Sequence, residues 1–411
     1  MTTTEAIAGA LPESRFGRRA GLAAATYAFT ATMLGTTLPT PLYSLYTERF
    51  GFSELIVTVI FATYAAGVIA ALLLLGRVSD VVGRRPVLLL GLAMSALSAV
   101  VFLLAQGLAP LLVGRLLSGL SAGIFTGTAT ATLVDLAGPE ARGRATLVAA
   151  VANIGGLGCG PLLAGILAQL APLPLRLSFW VDLGLLVPAF VGVLLMPEPV
   201  RPEPGKGLRV QALSVPRETR SAFIPAALAG FAGFAVMGLS TAVSPAFLGQ
   251  VLSITSDVVV GAVVFGVFAA SVVGQFLLEI VSRRTAMAAG CAGLIAGMAL
   301  LAAGLAASSL AVLVIGATVA GAGQGLSFRA ALAAVNEASP PDQRAEVASS
   351  FFVVAYLAIS IPVIGEGVLA QAAGLRTAGI VFAAAVAVLA AVVVTMLLRR
   401  RGPGVVGATG E

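Results

Sequence analysis

The stretch Gly76-Arg77-Val78-Ser79-Asp80-Val81-Val82-Gly83-Arg84-Arg85-Pro86 decides the fold. It clusters Arg77, Asp80, Arg84 and Arg85 between two apolar runs, residues 54–75 and 86–106. A membrane span needs about 20 mainly apolar residues, and each run meets that length. A charged loop clamped between two such runs sits at a membrane surface. Outward from it the pattern continues, in a chain of 411 residues that is 59% hydrophobic and only 10% charged. Its mean hydropathy of +1.04 exceeds what a soluble core can bury.

Twelve runs are predicted to span, at 21–46, 54–75, 86–106, 109–134, 146–171, 178–196, 221–249, 257–281, 285–305, 308–335, 346–372 and 376–398. Backbone groups in lipid must be satisfied within the segment, so the runs are helices. They are continuous and lack strict alternation, which argues against a β-barrel. The 48 Gly and 21 Pro would weaken soluble helices but suit a membrane bundle, where small residues let helices approach. The first run is too long for a signal-peptide core and reads as an uncleaved first helix. Residues 197–220 are polar, Pro-rich and basic, and read as a linker between bundles at 21–196 and 221–398, with tails at 1–20 and 399–411.

The net charge of +6 is a topology signal rather than a nucleic-acid footprint. Between these spans only Arg49, Arg176 and Arg376 fall on one side, Arg115 and Arg329 fall inside spans, and every other Lys and Arg falls on the other. The basic side carries both termini and is expected in the cytoplasm of a cell whose plasma (inner) membrane holds the chain. Cys159 and Cys291 lie in spans and read as small packing residues, not a disulfide framework. The chain has no His, which removes His relays and His metal sites. No Gly-x-x-x-x-Gly-Lys-Ser/Thr run appears, so ATP-driven transport is not supported. No cofactor, metal or nucleic acid is expected; the expected partners are the bilayer, a small molecule and protons, with the oligomeric state open.

The two halves look like repeats. A constant offset pairs Gly119 with Gly321, Gly123 with Gly325, Pro139 with Pro341, Glu140 with Asp342, Arg142 with Arg344, and Gly165 with Gly367. Parallel repeats about an axis along the membrane normal suit a transporter that rocks two halves around a midplane site.

The Gly-x-x-x-Asp-x-x-Gly-Arg-Arg pattern at Gly76, Asp80, Gly83, Arg84 and Arg85 resembles the loop between the second and third helices of major facilitator superfamily transporters. Arg115-Leu116-Leu117-Ser118-Gly119 with Gly123 resembles a second signature of that family, in its fourth helix. Gly156-Leu157-Gly158-Cys159-Gly160-Pro161 through Gly165 resembles its antiporter signature in the fifth, with Ala164 replacing one Gly. The resemblance implies twelve helices in two six-helix halves, alternating access, and export in exchange for protons. It also implies that Asp80 and its Arg neighbours lock one face, against the start of the eleventh helix near 344–349. For Arg115 it implies proton coupling or orientation of a polar group, with snorkelling to the outer surface as the plainer alternative. The loop acids and bases Glu140, Arg142, Asp342 and Arg344 can pair across the basic face and bias the state, or be simply solvated.

Polarity inside spans nominates Thr36, Thr37, Tyr43, Asn153 and Gln324 for the cavity. Proton coupling needs a titratable group that crosses environments, and without His the carriers are carboxylates. Glu366 is the most intramembrane by register and Asp182 the second. The first helix lacks an acid between Gly21 and Ser44, unlike many proton-coupled drug exporters. An importer or facilitator of a sugar or organic acid, and a non-transporting receptor on the same fold, stay open as alternatives.

Overall fold

Long apolar segments without strand-like alternation have one way to satisfy their backbone, and the computed structural model shows helices throughout, with no strand among the described residues, which are 15–200, 213–341 and 343–399. The first half comprises α1 (Arg15–Thr37), α2 (Pro39–Phe50), α3 (Glu54–Leu75), α4 (Val78–Val82), α5 (Arg84–Leu103), α6 (Leu108–Ile124), α7 (Thr130–Ala137), α8 (Arg142–Leu170) and α9 (Leu177–Leu195). The second comprises α10 (Arg217–Ala242), α11 (Ser244–Ala246), α12 (Asp257–Phe276), α13 (Arg283–Ala306), α14 (Leu310–Ala338), α15 (Arg344–Ala373) and α16 (Leu375–Arg399). Among the described residues eleven segments are long and apolar enough to cross a membrane, with α6 and α7 counting as one through a π-helical turn at Phe125–Ala129. α1 and α2 supply the twelfth crossing, whose hydropathy is diluted by Thr26, Tyr27, Thr30, Thr32, Thr36 and Thr37.

The boundaries differ from the apolar runs in a consistent way. The first span, expected at 21–46, starts at Arg15 and breaks at Leu38, because Pro39 and Pro41 lack the amide hydrogen that a continuing helix needs. The fifth and seventh spans begin at Arg142 and Arg217, several residues before their apolar runs. A helix can extend into the wet interface on a polar first turn, which hydropathy alone does not register. The charged loop is itself partly helical, as α4, and ends at Gly83 with φ +106°, a conformation that a side chain rarely adopts.

The repeat appears as matched packing. In the first half α6 lies on α3, with Gly119 against the Tyr64 carbonyl and Gly67, and Gly123 against Val68 and Ala71. In the second half α14 lies on α12, with Gly321 against the Val267 carbonyl and Gly325 against that of Ser271. Both inner members of these pairs start alike, with Ser53 capping the Ile56 amide and Ser256 capping the Val259 amide. The halves meet along two seams, α3 with α15 and α8 with α12. Between the seams lies the cavity.

Candidate functional site

The cavity encloses about 910 Å³ including its mouth. It is walled from both halves, by Thr36, Thr37, Tyr64, Arg115 and Asn153 on one side and by Phe234, Phe268, Phe328, Phe352 and Tyr356 on the other. Most of this surface is apolar. The lining extends toward the Arg-rich face through Thr130, Leu332 and the exposed Thr146. The π-helical turn at Phe125–Ala129 belongs to this wall, as Thr126 and Thr130 line the space. The opposite face is tied shut between the halves. There Gln250 Nε2 donates to Glu54 Oε1 at 2.7 Å, and Ser256 Oγ donates to Gln169 Oε1 at 2.6 Å.

Arg115 does not snorkel. It is 1% exposed, at the deep end of the cavity. Its Nε donates to Tyr43 Oη at 2.8 Å and its Nη1 to the Thr36 carbonyl at 2.5 Å, while Nη2 also reaches Tyr43 Oη. The rings of Tyr43, Phe61 and Tyr64 surround the guanidinium at 5.4, 5.6 and 5.8 Å. Aromatic faces and neutral oxygens offset part of the cost of burying the cation. Among the described residues no carboxylate pairs with it. The break at Leu38 makes this arrangement, since Thr36 ends α1 and Tyr43 sits on α2.

The loop at 76–86 is built differently from the expected lock. Asp80 is 59% exposed and pairs within the loop, its Oδ1 lying 2.6 Å from Arg84 Nη1. Arg84 also meets Asp135 at 3.1 Å and donates to Ser79 Oγ at 2.6 Å. The contact that crosses to the second half comes from Arg77, whose Nη2 lies 2.9 Å from Glu346 Oε1 in the first turn of α15. The eleventh-helix start is therefore engaged through a carboxylate and a guanidinium, not through Asp80. Glu198 accepts from the Arg84 and Arg85 amides at 2.7 and 2.9 Å and so caps α5. A methyl on Gly83 would sit 2.9 Å from Glu198 Oε2, which explains the glycine there together with its positive φ. Gly76 continues the backbone of α3 at φ −55°, so its conformation does not itself demand glycine.

Of the two readings of the second pair of loops, bridged or solvated, the described residues show no bridge. Glu140 and Arg142 are exposed, and among the described residues neither forms an ion pair. Long, exposed side chains of opposite charge gain little over hydration and lose entropy when held together, so no fixed geometry results. Arg344 donates to the Ser339 carbonyl at 3.3 Å, and Asp342 lies outside the described residues.

The glycines of α8 face two ways. Gly156 lies on the Thr30 carbonyl and Gly160 on that of Leu34, both of α1. Gly158 lies under Phe268 and Gly165 on the Asp257 carbonyl, both of α12. The Pro161 carbonyl receives Gly261 of α12 in turn. Pro161 sits inside α8 without ending it. One helix thus packs closely against its own half and against the other.

Of the polar candidates, Thr36, Thr37, Asn153 and Arg115 line the cavity. Thr36 and Thr37 also bond backbone, Thr37 reaching the Leu157 carbonyl of α8 at 2.8 Å. Gln324 does not line it; it accepts from Ser271 Oγ at 2.5 Å between α12 and α14, roofed by Gly233. Tyr43 is turned to Arg115 and to a pocket on the opposite face. Asp182 and Glu366 are enclosed in the protein but outside the cavity lining. Asp182, 2% exposed, lies against Gly35 of α1, and Glu366 is 3% exposed; among the described residues Asp182 Oδ1 and both Glu366 oxygens have no hydrogen-bond partner. Sequence reasoning did not single out Arg77, Glu346, Glu198 or Tyr64. Arg77 and Glu198 were legible as charges at helix ends; the contacts they make join positions far apart in the chain.

A profile described as Major Facilitator Superfamily matches residues 20–293 and again 226–411. Multidrug resistance protein MdtL of Escherichia coli is 35% identical over 131 residues, covering 31% of this chain and 32% of that protein. Major facilitator superfamily domain-containing protein 10 of Bos taurus is 35% identical over 139 residues, covering 34% of this chain and 30% of that protein. The matched stretch thus spans under a third of the length of either relative. Among solved structures, a bacterial homologue of the human lysosomal transporter Spinster, inward-facing and unoccupied, superposes with a TM-score of 0.74 at 16% identity. It covers 95% of this chain and 99% of that one. At that identity the likeness speaks to fold alone.

Proposed function

Because the chain belongs to the Major Facilitator Superfamily, we propose that it exports a small amphipathic molecule in exchange for protons. The coarser statement stands by itself: the chain is a multi-pass membrane transporter of a small molecule and not an enzyme. The observation that carries the finer reading is the largely apolar cavity between the halves, whose lining reaches toward the Arg-rich face past the Arg77–Glu346 bridge, while hydrogen bonds join the halves at the opposite face. The positive-inside rule assigns the Arg-rich face, with both termini, to the cytoplasm. In that orientation the conformation receives cargo from inside. The halves at 21–196 and 221–398 would rock about 197–220, with the α3–α15 and α8–α12 seams opening alternately at either end. The glycine face of α8 and the partial likeness to MdtL, a multidrug resistance protein, support export over uptake. Asp182 and Glu366 are the enclosed protonatable groups of the spans that such exchange could use.

One observation favours anionic cargo over cationic. Arg115 brings a positive charge to the deep end of the cavity with no carboxylate of the described residues paired to it. A solute with an apolar body and an acidic head fits such a space.

Flux tests both statements. Purified protein in liposomes with an imposed pH gradient, offered fluorescent amphipaths of either charge, is expected to move the anionic ones against the proton gradient. Binding without gradient-dependent movement would refute the exchange reading and leave a receptor.

A further inference from the structure

The two walls of the cavity are chemically unlike. We propose that its cargo is an aromatic carboxylic acid, held with its carboxylate toward Arg115 of the first half and its flat ring against the second half. The inference deepens the reading of an exported anionic amphipath and rests on it.

The second half supplies rings. Phe234 of α10, Phe268 of α12, Phe328 of α14, and Phe352 and Tyr356 of α15 make up half of its lining residues, in a chain that is only 6% aromatic. These rings brace one another. Phe234 lies 5.1 Å from Phe328 and 6.2 Å from Tyr356, and Phe328 lies 6.2 Å from Phe352. Behind them the fully buried Phe351 meets Phe328 at 5.9 Å and Phe352 at 6.0 Å. All these contacts are tilted or edge-on, the arrangements that aromatic quadrupoles favour. A wall fixed in this way stands ready before cargo arrives, so little order is lost on binding. A saturated cargo needs only apolar surface, which Leu, Ile or Val would offer. Rings add about 2- to 12-fold in affinity for each aromatic pair, beyond the area buried.

The first half supplies hydrogen-bonding groups and the charge. Thr36, Thr37, Thr126 and Asn153 line its side, and Thr126 Oγ1 is buried with no partner among the described residues. Arg115 is the one charged residue of the described lining, with Asp182 and Glu366 both outside it. It donates three N–H groups to Tyr43 Oη and the Thr36 carbonyl, and a guanidinium has five. Two donors are left for a cargo acid, and a cation in an apolar wall attracts an anion before any contact is made. Tyr64 stands between charge and wall, its ring 5.8 Å from the guanidinium carbon and 6.4 Å from the Tyr356 ring. Head and ring of the cargo are therefore one side chain apart, as in an arylacetate. Rings alone would also suit an organic cation. Here the rings of Tyr43, Phe61 and Tyr64 already face Arg115, whose charge repels a second cation.

Calorimetric titration of the protein in lipid nanodiscs tests the wall with matched probes: 2-naphthylacetate, its decahydro analogue, and 2-naphthylmethylammonium. The naphthyl acid is expected to bind at least about 3-fold tighter than the saturated acid, and at least about 10-fold tighter than the ammonium. Phe352→Leu and Phe234→Leu keep apolar surface but remove a ring. Each is expected to pull the ratio of the two acids toward one while leaving the saturated acid bound as before. The ratio is read within one preparation, so a lowered active fraction does not enter it. Phe276→Leu, at an exposed ring outside the cavity, keeps the parental ratio. Equal binding of the two acids, a ratio unchanged in both cavity variants, or no saturable binding of the naphthyl acid overturns the proposal. Gradient-driven flux of other anionic amphipaths would then show that the export reading stands without it. Tighter binding of the ammonium than of the naphthyl acid removes the anionic reading as well.

Discussion

Removing the Arg77–Glu346 ion pair should shift the conformational balance of the protein by a small, calculable factor. The pair joins α3 to α15 at the Arg-rich face, with side chains 38% and 18% exposed. A fully buried pair broken from one side costs about 3–5 kcal/mol, because an uncompensated charge remains. Here water reaches both groups, and partly exposed pairs are worth about 0.5–1 kcal/mol. That corresponds to a factor of about 2–5 in the equilibrium between states that keep and break the contact. Arg77→Gln and Glu346→Gln should each raise the population with this seam open by that factor. The double variant should add little, since each single change already removes the shared term. Spin labels at Gly143→Cys and Pro341→Cys, both on the Arg-rich face, read the population directly. The exchanged pair, Arg77→Glu with Glu346→Arg, should restore most of the parental distribution. A tenfold or larger shift from a single neutralisation would mean that the charges do more than bridge; independent, additive effects would mean that they do not couple at all.

Other expectations follow from the same geometry. Asp80→Asn should impair transport while leaving membrane insertion intact, through a loosened Arg84 rather than a lost cross-half bond; full transport by a well-expressed variant would remove the loop from the mechanism. Tyr43→Phe takes a charge-assisted acceptor from a buried guanidinium and should destabilise by about 1.5–3 kcal/mol in thermal unfolding, whereas an unchanged melting temperature would indicate that Arg115 finds another partner. Gly83→Ala should cost about 1 kcal/mol or more, because it strains a positive φ and displaces Glu198 from the start of α5; a loss no larger than that of Ala at the open, exposed Gly143 would count against this account. Gly165→Val should abolish flux with normal insertion, since its side chain would collide with the Asp257 carbonyl when the α8–α12 seam closes, and retained flux would show that this contact is not used in the cycle.

The fold was largely legible because it follows from local quantities. Run length, hydropathy and the side on which Arg accumulates are properties of single segments, and helices in lipid leave little freedom once these are set. The repeat was legible too, since Gly119 and Gly321 must each admit a neighbouring helix and therefore recur at equivalent places. The site was less so. Asp80 was conspicuous as an acid at a membrane edge, but the choice between Arg84 beside it and the distant α15 depends on how α4 turns. Arg115 was visible as an intramembrane cation; its burial required the break at Leu38, which brings the Thr36 carbonyl and Tyr43 to the same guanidinium. Gln324 had the composition of a cavity residue and the register of a packing one, and a polarity scan does not separate these. Glu54 was hidden by its place at a helix start, where an acid is ordinary.

The distribution of contact types along the two seams is itself an argument about motion. Where α8 meets α12, the contacts are glycine on backbone and glycine under Phe268, apolar and without directional bonds across most of the length. Over that length such surfaces slide or tilt at small enthalpic cost, and the directional bonds of this seam, from Ser256 and the Val258 amide to Gln169, are gathered at its outer end. Where α3 meets α15, polar groups stand toward both ends, with Arg77–Glu346 at the Arg-rich face and the enclosed Glu366 nearer the other, and the Tyr64–Tyr356 ring contact between them. Ends held by ionisable groups have discrete made and broken states. A body that rocks on an apolar seam and is switched along a polar one needs both kinds of surface, and this chain supplies one of each. The apolar seam sets how far the halves can tilt. The charges on the polar seam set which tilt is populated, so substitutions there should move populations while substitutions among the α8 glycines should stop movement.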